Sequence, residues 1–192
     1  MNTLIIYAHP NPRSFNRAIL DTVEAALTRR GDAIRIHDLY QMHSRAVLEA
    51  EDLIRNWRGD LPADTRHEQD AIRWAGQLVF IYPIWWFGPP AILKGWIDRI
   101  LTHKFAFDIG PAGMTGLLTG KKALIINTLG GDEETYQKKR WHELLVRPMV
   151  EGVLAACGIE DVHYRAFYSV PTVTQADRQA MLTEVSALAA NL

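Results

Sequence analysis

The segment from residue 78 to residue 90 constrains the fold of this chain more than any other. Its first five residues, 78–82, are apolar or aromatic without a charge, a pattern typical of a strand buried on both faces of a parallel sheet. Pro83 has no N–H to donate and ends the strand pairing. An aromatic cluster follows, and Gly88-Pro89-Pro90 then opens a helix. Ligands of open parallel sheets bind beyond the carboxyl ends of the strands, which favours a binding role for these rings over a core role.

The hydrophobic pattern alternates between strands and helices along the whole chain. It predicts strands at 3–8, 34–39, 78–82, 122–127 and 162–168. It predicts helices from about residue 15 to Gly31, and at about 68–75, 90–101, 135–157 and 175–190. Right-handed crossovers between five such strands predict a flavodoxin-like, doubly wound α/β sheet with the order 2-1-3-4-5. We expect one domain over residues 1–192.

Three stretches have less regular patterns. Residues 40–68 are charged and exceed the usual connection length, with room for a short helix at about 48–57. The helix at 90–101 has one apolar face, and Arg99 is expected on its opposite, polar face. Residues 110–116 contain three glycines and are predicted to form an exposed loop that follows an exposed apolar strip at 105–109.

Composition excludes several classes of protein. The formal net charge of −1 leaves no electrostatic footprint for nucleic acid. Cys157 is the only cysteine, so an intrachain disulfide is excluded and a buried structural thiol is expected. No apolar run approaches the roughly 20 residues of a membrane span, although peripheral association stays open. The chain enters its first strand without a signal sequence, so we expect a cytoplasmic location. The seven histidines are scattered along the sequence, and no metal site is predicted.

Three loops, at residues 9–16, 83–87 and 128–132, follow strands that are neighbours in the predicted order. They should therefore meet at one edge of the sheet. The first loop precedes a helix and offers Ser14 and Asn16 to a phosphate. The second is flat and aromatic, and the third offers the backbone N–H groups of Gly130 and Gly131. A ligand with a phosphate, a planar ring and a polar ring edge fits all three, and flavin is such a ligand.

The same three loops carry a resemblance to a known family. Over nearly its full length the chain resembles the NAD(P)H:quinone oxidoreductases of the DT-diaphorase group, bacterial type. The resembling motifs are His9-x-x-x-x-Ser14-Phe15-Asn16, Pro83-Ile84-Trp85-Trp86-Phe87-Gly88-x-Pro90-Ala91-Ile92-Leu93-Lys94-Gly95-Trp96, and Thr128-Leu129-Gly130-Gly131. Tyr136 and His142, five and eleven residues after Gly131, stand where that family has a tyrosine and a histidine.

The resemblance implies a flavin enzyme in which NAD(P)H passes a hydride to flavin N5 and a quinone or similar flat acceptor is then reduced at the same site. It implies FAD, with FMN as the alternative, and a homodimer with active sites at the interface. Its implied catalytic residues are Tyr136 and His142. The implied flavin-binding residues are His9, Arg13, Ser14, Phe15, Asn16, Pro83, Ile84, Trp85, Trp86, Phe87, Thr128, Leu129, Gly130, Gly131 and Tyr136. The implied substrate-binding residues are Trp86, Phe107 and Ile109.

The chain departs from the family at the acceptor pocket, because Phe107 and Ile109 stand where the family commonly has tyrosines. Two alternative functions share the fold. One is a regulatory flavoprotein subunit of a potassium efflux system. The other is an electron-carrier flavodoxin, although the chain lacks the Ser/Thr-rich phosphate loop and strongly acidic composition of that class.

Overall fold

A computed structural model describes all 192 residues. The strands are β1 (Asn2–Tyr7), β2 (Ala33–Asp38), β3 (Gln77–Pro83), β4 (Phe107–Gly110), β5 (Gly113–Gly116), β6 (Lys122–Thr128) and β7 (Asp161–Phe167). The helices are α1 (Phe15–Arg30), α2 (Ala50–Arg58), α3 (Ala63–Trp74), α4 (Ala91–Ile100), α5 (Glu133–Lys138), α6 (Trp141–Met149) and α7 (Gln175–Ala190). The main sheet is entirely parallel with the order β2-β1-β3-β6-β7, which confirms the predicted flavodoxin-like topology.

The core lies on both faces of this sheet. Alternate residues of a strand point to opposite faces, so Leu4 and Ile6 of β1 belong to one hydrophobic cluster and Ile5 and Tyr7 to the other. All seven residues of β3 are buried, as expected for the central strand. By contrast, the first four residues of β2 alternate between exposed and partly buried, as expected for an edge strand, and only His37 is buried.

Local sequence signals set the limits of α1. The Ser14 side chain accepts a hydrogen bond from the backbone N–H of Arg17 and caps the helix. Gly31 ends it in the left-handed region at φ +87°, a conformation that glycine adopts without steric cost. Both predicted helix limits are confirmed, and they fix the loop before α1 at the carboxyl edge of the sheet.

The segment at 110–116 is exposed as predicted, but it is part of a hairpin instead of an irregular loop. Residues 107–116 form an antiparallel hairpin, β4–β5, in which Phe107 pairs with Gly116. A Cβ on Gly116 would lie 2.2 Å from the backbone nitrogen of Gly158, so the hairpin backbone packs directly on the end of a helical segment. The predicted exposed strip at 105–109 is also wrong in part, because Phe105 is buried.

The single helix predicted at 135–157 is interrupted. Arg140 has a left-handed backbone, with φ +56°, and separates α5 from α6. Pro148 lies inside α6, where it removes one helical N–H and crowds the preceding turn. The chain then continues as a π-helical turn over Val150–Ala155, and such turns are a common response to an interrupted hydrogen-bond ladder.

The prediction that Arg99 lies on an open polar face of α4 is wrong. Its side chain is buried and forms ion pairs with Asp52 of α2, at 3.4 Å, and Asp64 of α3, at 2.7 Å. The segment at 40–68 therefore covers this part of α4 with two carboxylates. Sequence periodicity did not indicate this covering segment, because it comes from a distant part of the chain.

Two further expectations concern the single cysteine and membrane-spanning helices. Cys157 is buried, and burial raises the pKa of its thiol to about 11, which agrees with a structural role. None of the helices combines the length and the apolar composition required to cross a bilayer.

Candidate active site

The three predicted loops meet at the carboxyl edge of the sheet. The backbone N–H of Ile84 donates to the carbonyl oxygen of Thr128 at 2.9 Å, joining the second loop to the third. The Asn16 side chain donates to the Thr128 hydroxyl at 2.7 Å and joins the first loop to the third. The His9 and Trp85 rings meet edge to face with their centroids 6.0 Å apart. The sequence-based prediction that these loops converge is confirmed.

The aromatic loop is a tight turn from Trp85 to Gly88. The backbone groups of these two residues exchange both hydrogen bonds, at 3.0 and 3.1 Å. The two residues between them, Trp86 and Phe87, both have positive φ values of +49° and +62°, the pattern of a type I′ turn. Glycine and asparagine usually occupy these positions because large L-residues are strained there. Local strain of this kind is concentrated at ligand-binding sites.

The turn presents its rings to solvent rather than to the core. Trp86 is 98% exposed, and Trp85 and Phe87 are also exposed. The Phe87 ring contacts Tyr136 and Trp141 at centroid distances of 5.9 and 5.2 Å. The alternative that these rings are core residues is therefore wrong.

The first loop differs in detail from the prediction. The Ser14 hydroxyl caps α1 and is hydrogen-bonded to Tyr7 Oη at 3.3 Å. Asn16 is only 3% exposed and its amide faces Thr128, so this side chain bridges two loops instead of reaching an external phosphate. The N–H groups of Phe15 and Asn16 open α1 and have no acceptor within the chain. They are the groups that can bind an anion at this helix terminus.

His9 is held as a neutral imidazole. Its Nδ1 accepts a hydrogen bond from the backbone N–H of Asn11 at 3.0 Å. Burial lowers the pKa of His9, and the Asn11 hydrogen bond offsets this only in part. With Nδ1 occupied as an acceptor, the proton of the neutral ring lies on Nε2, which is free to donate. Arg13, in the same loop, is exposed.

The third loop brings Tyr136 against a glycine. A Cβ built on Gly131 would lie 2.6 Å from Cε2 of Tyr136, so only glycine permits this approach. Asp132 caps α5 by accepting a hydrogen bond from Thr135 N at 2.8 Å, which sets the first turn in which Tyr136 lies. The N–H groups of Gly130 and Gly131 have no acceptor in the chain. Leu129 is buried behind them.

His142 is held by a residue that the sequence analysis missed. Its Nδ1 lies 2.7 Å from Tyr168 Oη. The ring of Tyr168 also contacts the ring of Tyr136, with the centroids 5.5 Å apart. Burial raises the pKa of both phenols, so they stay protonated near neutral pH. The break at Arg140 places His142 in the first turn of a new helix, so its direction does not follow from the continuous helix predicted at 135–157.

Tyr168 and Trp141 are functional candidates that sequence reasoning overlooked. Tyr168 directly follows β7, beside β6, and its position beyond a strand end was the available signal. Trp141 gave no such signal, because it contacts Tyr136 and Phe87 only after the chain turns at Arg140.

The predicted substrate residues Phe107 and Ile109 lie in the β4–β5 hairpin and not in any of the three loops. The Phe107 ring packs against His103 at 5.9 Å, and no ring contact joins it to the turn at Trp86. Ile109 is 65% exposed on the hairpin.

The site fits the chemistry of a flavin. Each of the three loops offers two adjacent backbone N–H groups that have no acceptor in the chain. They belong to Phe15 and Asn16 in the first loop, Trp86 and Phe87 in the second, and Gly130 and Gly131 in the third. The buried Oδ1 of Asn16 has no partner in the chain and can accept a hydrogen bond from a ligand group. A Cβ at Gly130 would meet only Pro171 Cγ, at 4.0 Å, so its backbone is open to a ligand.

Comparison with known proteins gives the class. The profile of a family described as flavodoxin-like fold matches residues 1–189, so the chain belongs to that family. The chain is 36% identical over 183 residues to an uncharacterized NAD(P)H oxidoreductase of Haemophilus influenzae, covering 95% of this chain and 91% of the relative. It is 32% identical over 199 residues to the ribosyldihydronicotinamide dehydrogenase [quinone] of Homo sapiens, covering 93% and 86%.

A solved structure agrees with these relatives. The NAD(P)H:quinone oxidoreductase of Methanothermobacter marburgensis matches with a TM-score of 0.90 and 28% identity, covering 100% of this chain and 96% of that one. The resemblance to the NAD(P)H:quinone oxidoreductase group, based on the three loop motifs, is thereby confirmed.

Proposed function

We propose that this protein is a flavin-dependent oxidoreductase that transfers two electrons from NAD(P)H to a quinone or a similar flat acceptor. The observation that supports this most directly is the meeting of three loops, each with a pair of unpaired N–H groups, around an exposed aromatic turn. The names of the relatives agree with this reaction class. No feature of the site favours the potassium-efflux regulator or the electron-carrier flavodoxin over it.

The flavin would be held by the residues of the three loops. A bound flavin supplies the chemistry of accepting and returning a hydride equivalent, which protein side chains lack. The N–H groups of Phe15 and Asn16 would bind phosphate, and Arg13 adds a positive charge nearby. The turn at Trp85–Gly88 would line the flavin ring, and Pro83 and Ile84, which precede the turn at the end of β3, hold it in place. We favour FAD over FMN on the Ser14-Phe15-Asn16 motif, and the N–H groups suit one phosphate as well as two.

Tyr136 and His142 are the proposed catalytic residues. A protonated Tyr136 phenol donates a hydrogen bond more strongly to an oxygen that becomes anionic, so it favours the electron-rich state of the site. The N–H groups of Gly130 and Gly131 act in the same direction. When the Tyr168 hydroxyl donates to His142 Nδ1, the neutral imidazole carries its proton on Nε2 and can donate a hydrogen bond from that atom to the electron-rich state of the site. Tyr168 thus positions His142.

We further propose a homodimer in which the hairpin of one subunit completes the acceptor site of the other. Phe107 and Ile109 lie in the hairpin, outside the three loops, and the exposed Ile109 and Met114 pair with each other there. Exposed apolar residues of this kind commonly mark an interface. Apolar groups at 107 and 109 favour an apolar, flat acceptor. We expect the protein to act in the cytoplasm.

The test is turnover by the flavin-loaded protein. Purified protein is reconstituted with FAD and FMN together, and mass spectrometry identifies the flavin retained. NADH, NADPH and ribosyldihydronicotinamide, the last named in a relative, are then compared as donors to a soluble quinone. Light scattering measures the mass, with twice the chain mass expected. Flavin-loaded protein that oxidises none of the three donors would disprove the proposal, and retention of FMN alone would disprove only the choice of FAD.

His163→Ala is a suitable control for His142→Ala in this assay. His163 is an exposed histidine on β7, 3.5 Å from Asp161, which pairs with Lys122 at the start of β6. It therefore lies toward the edge of the sheet opposite the loops. Loss of activity in both variants would indicate a general effect of removing histidine rather than a role for His142.

A further inference from the structure

A cluster of metal-ligating side chains lies away from the flavin site. His37 is the fifth residue of the edge strand β2, and His67 and Glu68 are consecutive residues of α3. One ligand atom from each of the three residues lies within 4.8 Å of the other two. The two imidazole rings are nearly parallel, with centroids 5.5 Å apart and 6° between their planes.

We propose that His37, His67 and Glu68 bind one divalent transition-metal ion of the zinc class. Two imidazole nitrogens and one carboxylate oxygen form a donor set that binds Zn²⁺ with water in the remaining position. The same set disfavours Mg²⁺ and Ca²⁺, which take oxygen ligands. The sequence did not indicate this site, because His67 follows His37 by 30 positions and the spacing matches no metal motif.

The buried half of the site is already arranged for an ion. His37 Nδ1 lies 2.7 Å from Glu68 Oε2, and both residues are less than 10% exposed. An ion between them would take the place of the hydrogen bond, and the neutral His37 ring would then carry its proton on Nε2. Bonds of about 2.0–2.2 Å at a tetrahedral angle place the ligand nitrogen and oxygen about 3.4 Å apart, so these two atoms would move apart by about 0.7 Å on binding.

Trp96 supplies an outer contact that orients the carboxylate. Its indole N–H donates to Glu68 Oε2 at 2.8 Å, and its ring packs against Phe80 of the central strand. Hydrogen bonds from a neighbouring residue to a ligating carboxylate fix its direction and raise metal affinity. Glu68 is therefore held from the core side and is not free to rotate away.

His67 is exposed and provides the entry path. Its ring closes the cluster from the solvent side, so an ion can reach the buried pair without opening the core. The bound ion would connect the edge strand β2 to α3, the helix that ends the long segment at 40–68. Binding should raise the thermal stability of this region and leave the flavin site unchanged.

The experiment uses the full-length protein without an affinity tag, stripped of metal by a chelator. Isothermal titration with Zn²⁺ should show one equivalent per chain with a Kd in the micromolar range or below, and Zn²⁺ should raise the melting temperature. Co²⁺ should give visible absorption bands typical of nitrogen ligation. His67→Ala, at an exposed position that preserves folding, should weaken binding at least tenfold and reduce the rise in melting temperature at a given Zn²⁺ concentration.

His163→Ala is the matched control, because His163 is exposed beside the single carboxylate of Asp161. It should bind Zn²⁺ within twofold of the parent. No saturable binding by the parent at 100-fold excess of Zn²⁺ over about 1 μM protein would overturn the proposal. So would equal affinity in the parent and in His67→Ala, or an equal loss in the two histidine variants. Each of these outcomes is independent of the proposed redox activity.

Discussion

Replacing Trp86 separates backbone strain from the function of its ring. Trp86 is held at φ +49° within the turn, yet its side chain is 98% exposed. Removal of this ring should therefore cost little packing energy. Trp86→Ala retains a Cβ in the left-handed region, whereas Trp86→Gly removes it, so the comparison of these two variants isolates the strain.

The expected magnitude follows from two opposing terms. An L-residue in the left-handed region costs about 1–2 kcal/mol. Glycine avoids this cost, but it gives the unfolded chain more conformational entropy than alanine does, which offsets about 0.4–1 kcal/mol of the gain. Trp86→Gly should therefore be about 0.5–1 kcal/mol more stable than Trp86→Ala. With a urea m-value of about 2 kcal/mol/M, the midpoint should rise by about 0.3–0.5 M.

Urea unfolding followed by circular dichroism measures this difference, and quinone turnover is measured on the same samples. If Trp86 lines the acceptor site, both variants should lose activity to the same extent although their stabilities differ. A glycine variant no more stable than the alanine variant would refute the argument that the turn is strained. Full activity in both variants would refute the role proposed for the ring.

Two further predictions test packing and burial. Gly95→Ala should destabilise the protein by about 3 kcal/mol, or prevent folding, because its Cβ would lie 1.9 Å from the backbone oxygen of Ala46. Gly110→Ala, whose Cβ would have nothing within 4 Å, should have a free energy of unfolding within about 0.5 kcal/mol of the parent. Equal melting of the two variants would contradict the packing argument. Cys157 should resist iodoacetamide at pH 8 in the folded protein and react after unfolding, because burial raises its pKa to about 11 from 9.0. This raised pKa contributes stability that is full below pH 9 and is lost as the pH rises through about 11, and native-state labelling at the unfolded rate would contradict burial.

Sequence patterns predicted the sheet and the meeting of the loops because both depend on local signals. The uncharged run at 78–82 identifies a strand buried on both faces, and Ser14 and Gly31 mark helix limits through capping. Once the strand order follows from right-handed crossovers, the loops after β1, β3 and β6 must share one edge.

The parts that sequence reasoning missed depend on long-range contacts or on backbone breaks. Arg99 looks like a surface residue until Asp52 and Asp64 cover it. Trp141 reaches Tyr136 only because Arg140 adopts a left-handed conformation, and no local signal predicts such a residue in a helical pattern. Helical periodicity therefore placed residues on the correct elements but gave the wrong environment for several side chains.

The central claim is that the carboxyl edge of the sheet holds a flavin and promotes its reduction by a nicotinamide. Stopped-flow mixing of flavin-loaded protein with NADH or NADPH tests this most directly, with flavin content checked in each variant. The parent should lose flavin absorbance rapidly, and Tyr136→Phe and His142→Ala should do so about tenfold to a thousandfold more slowly, with His163→Ala unchanged. Parent-like rates in both site variants would contradict the catalytic assignment, and a flavin-loaded parent that neither nicotinamide reduces would contradict the central claim itself.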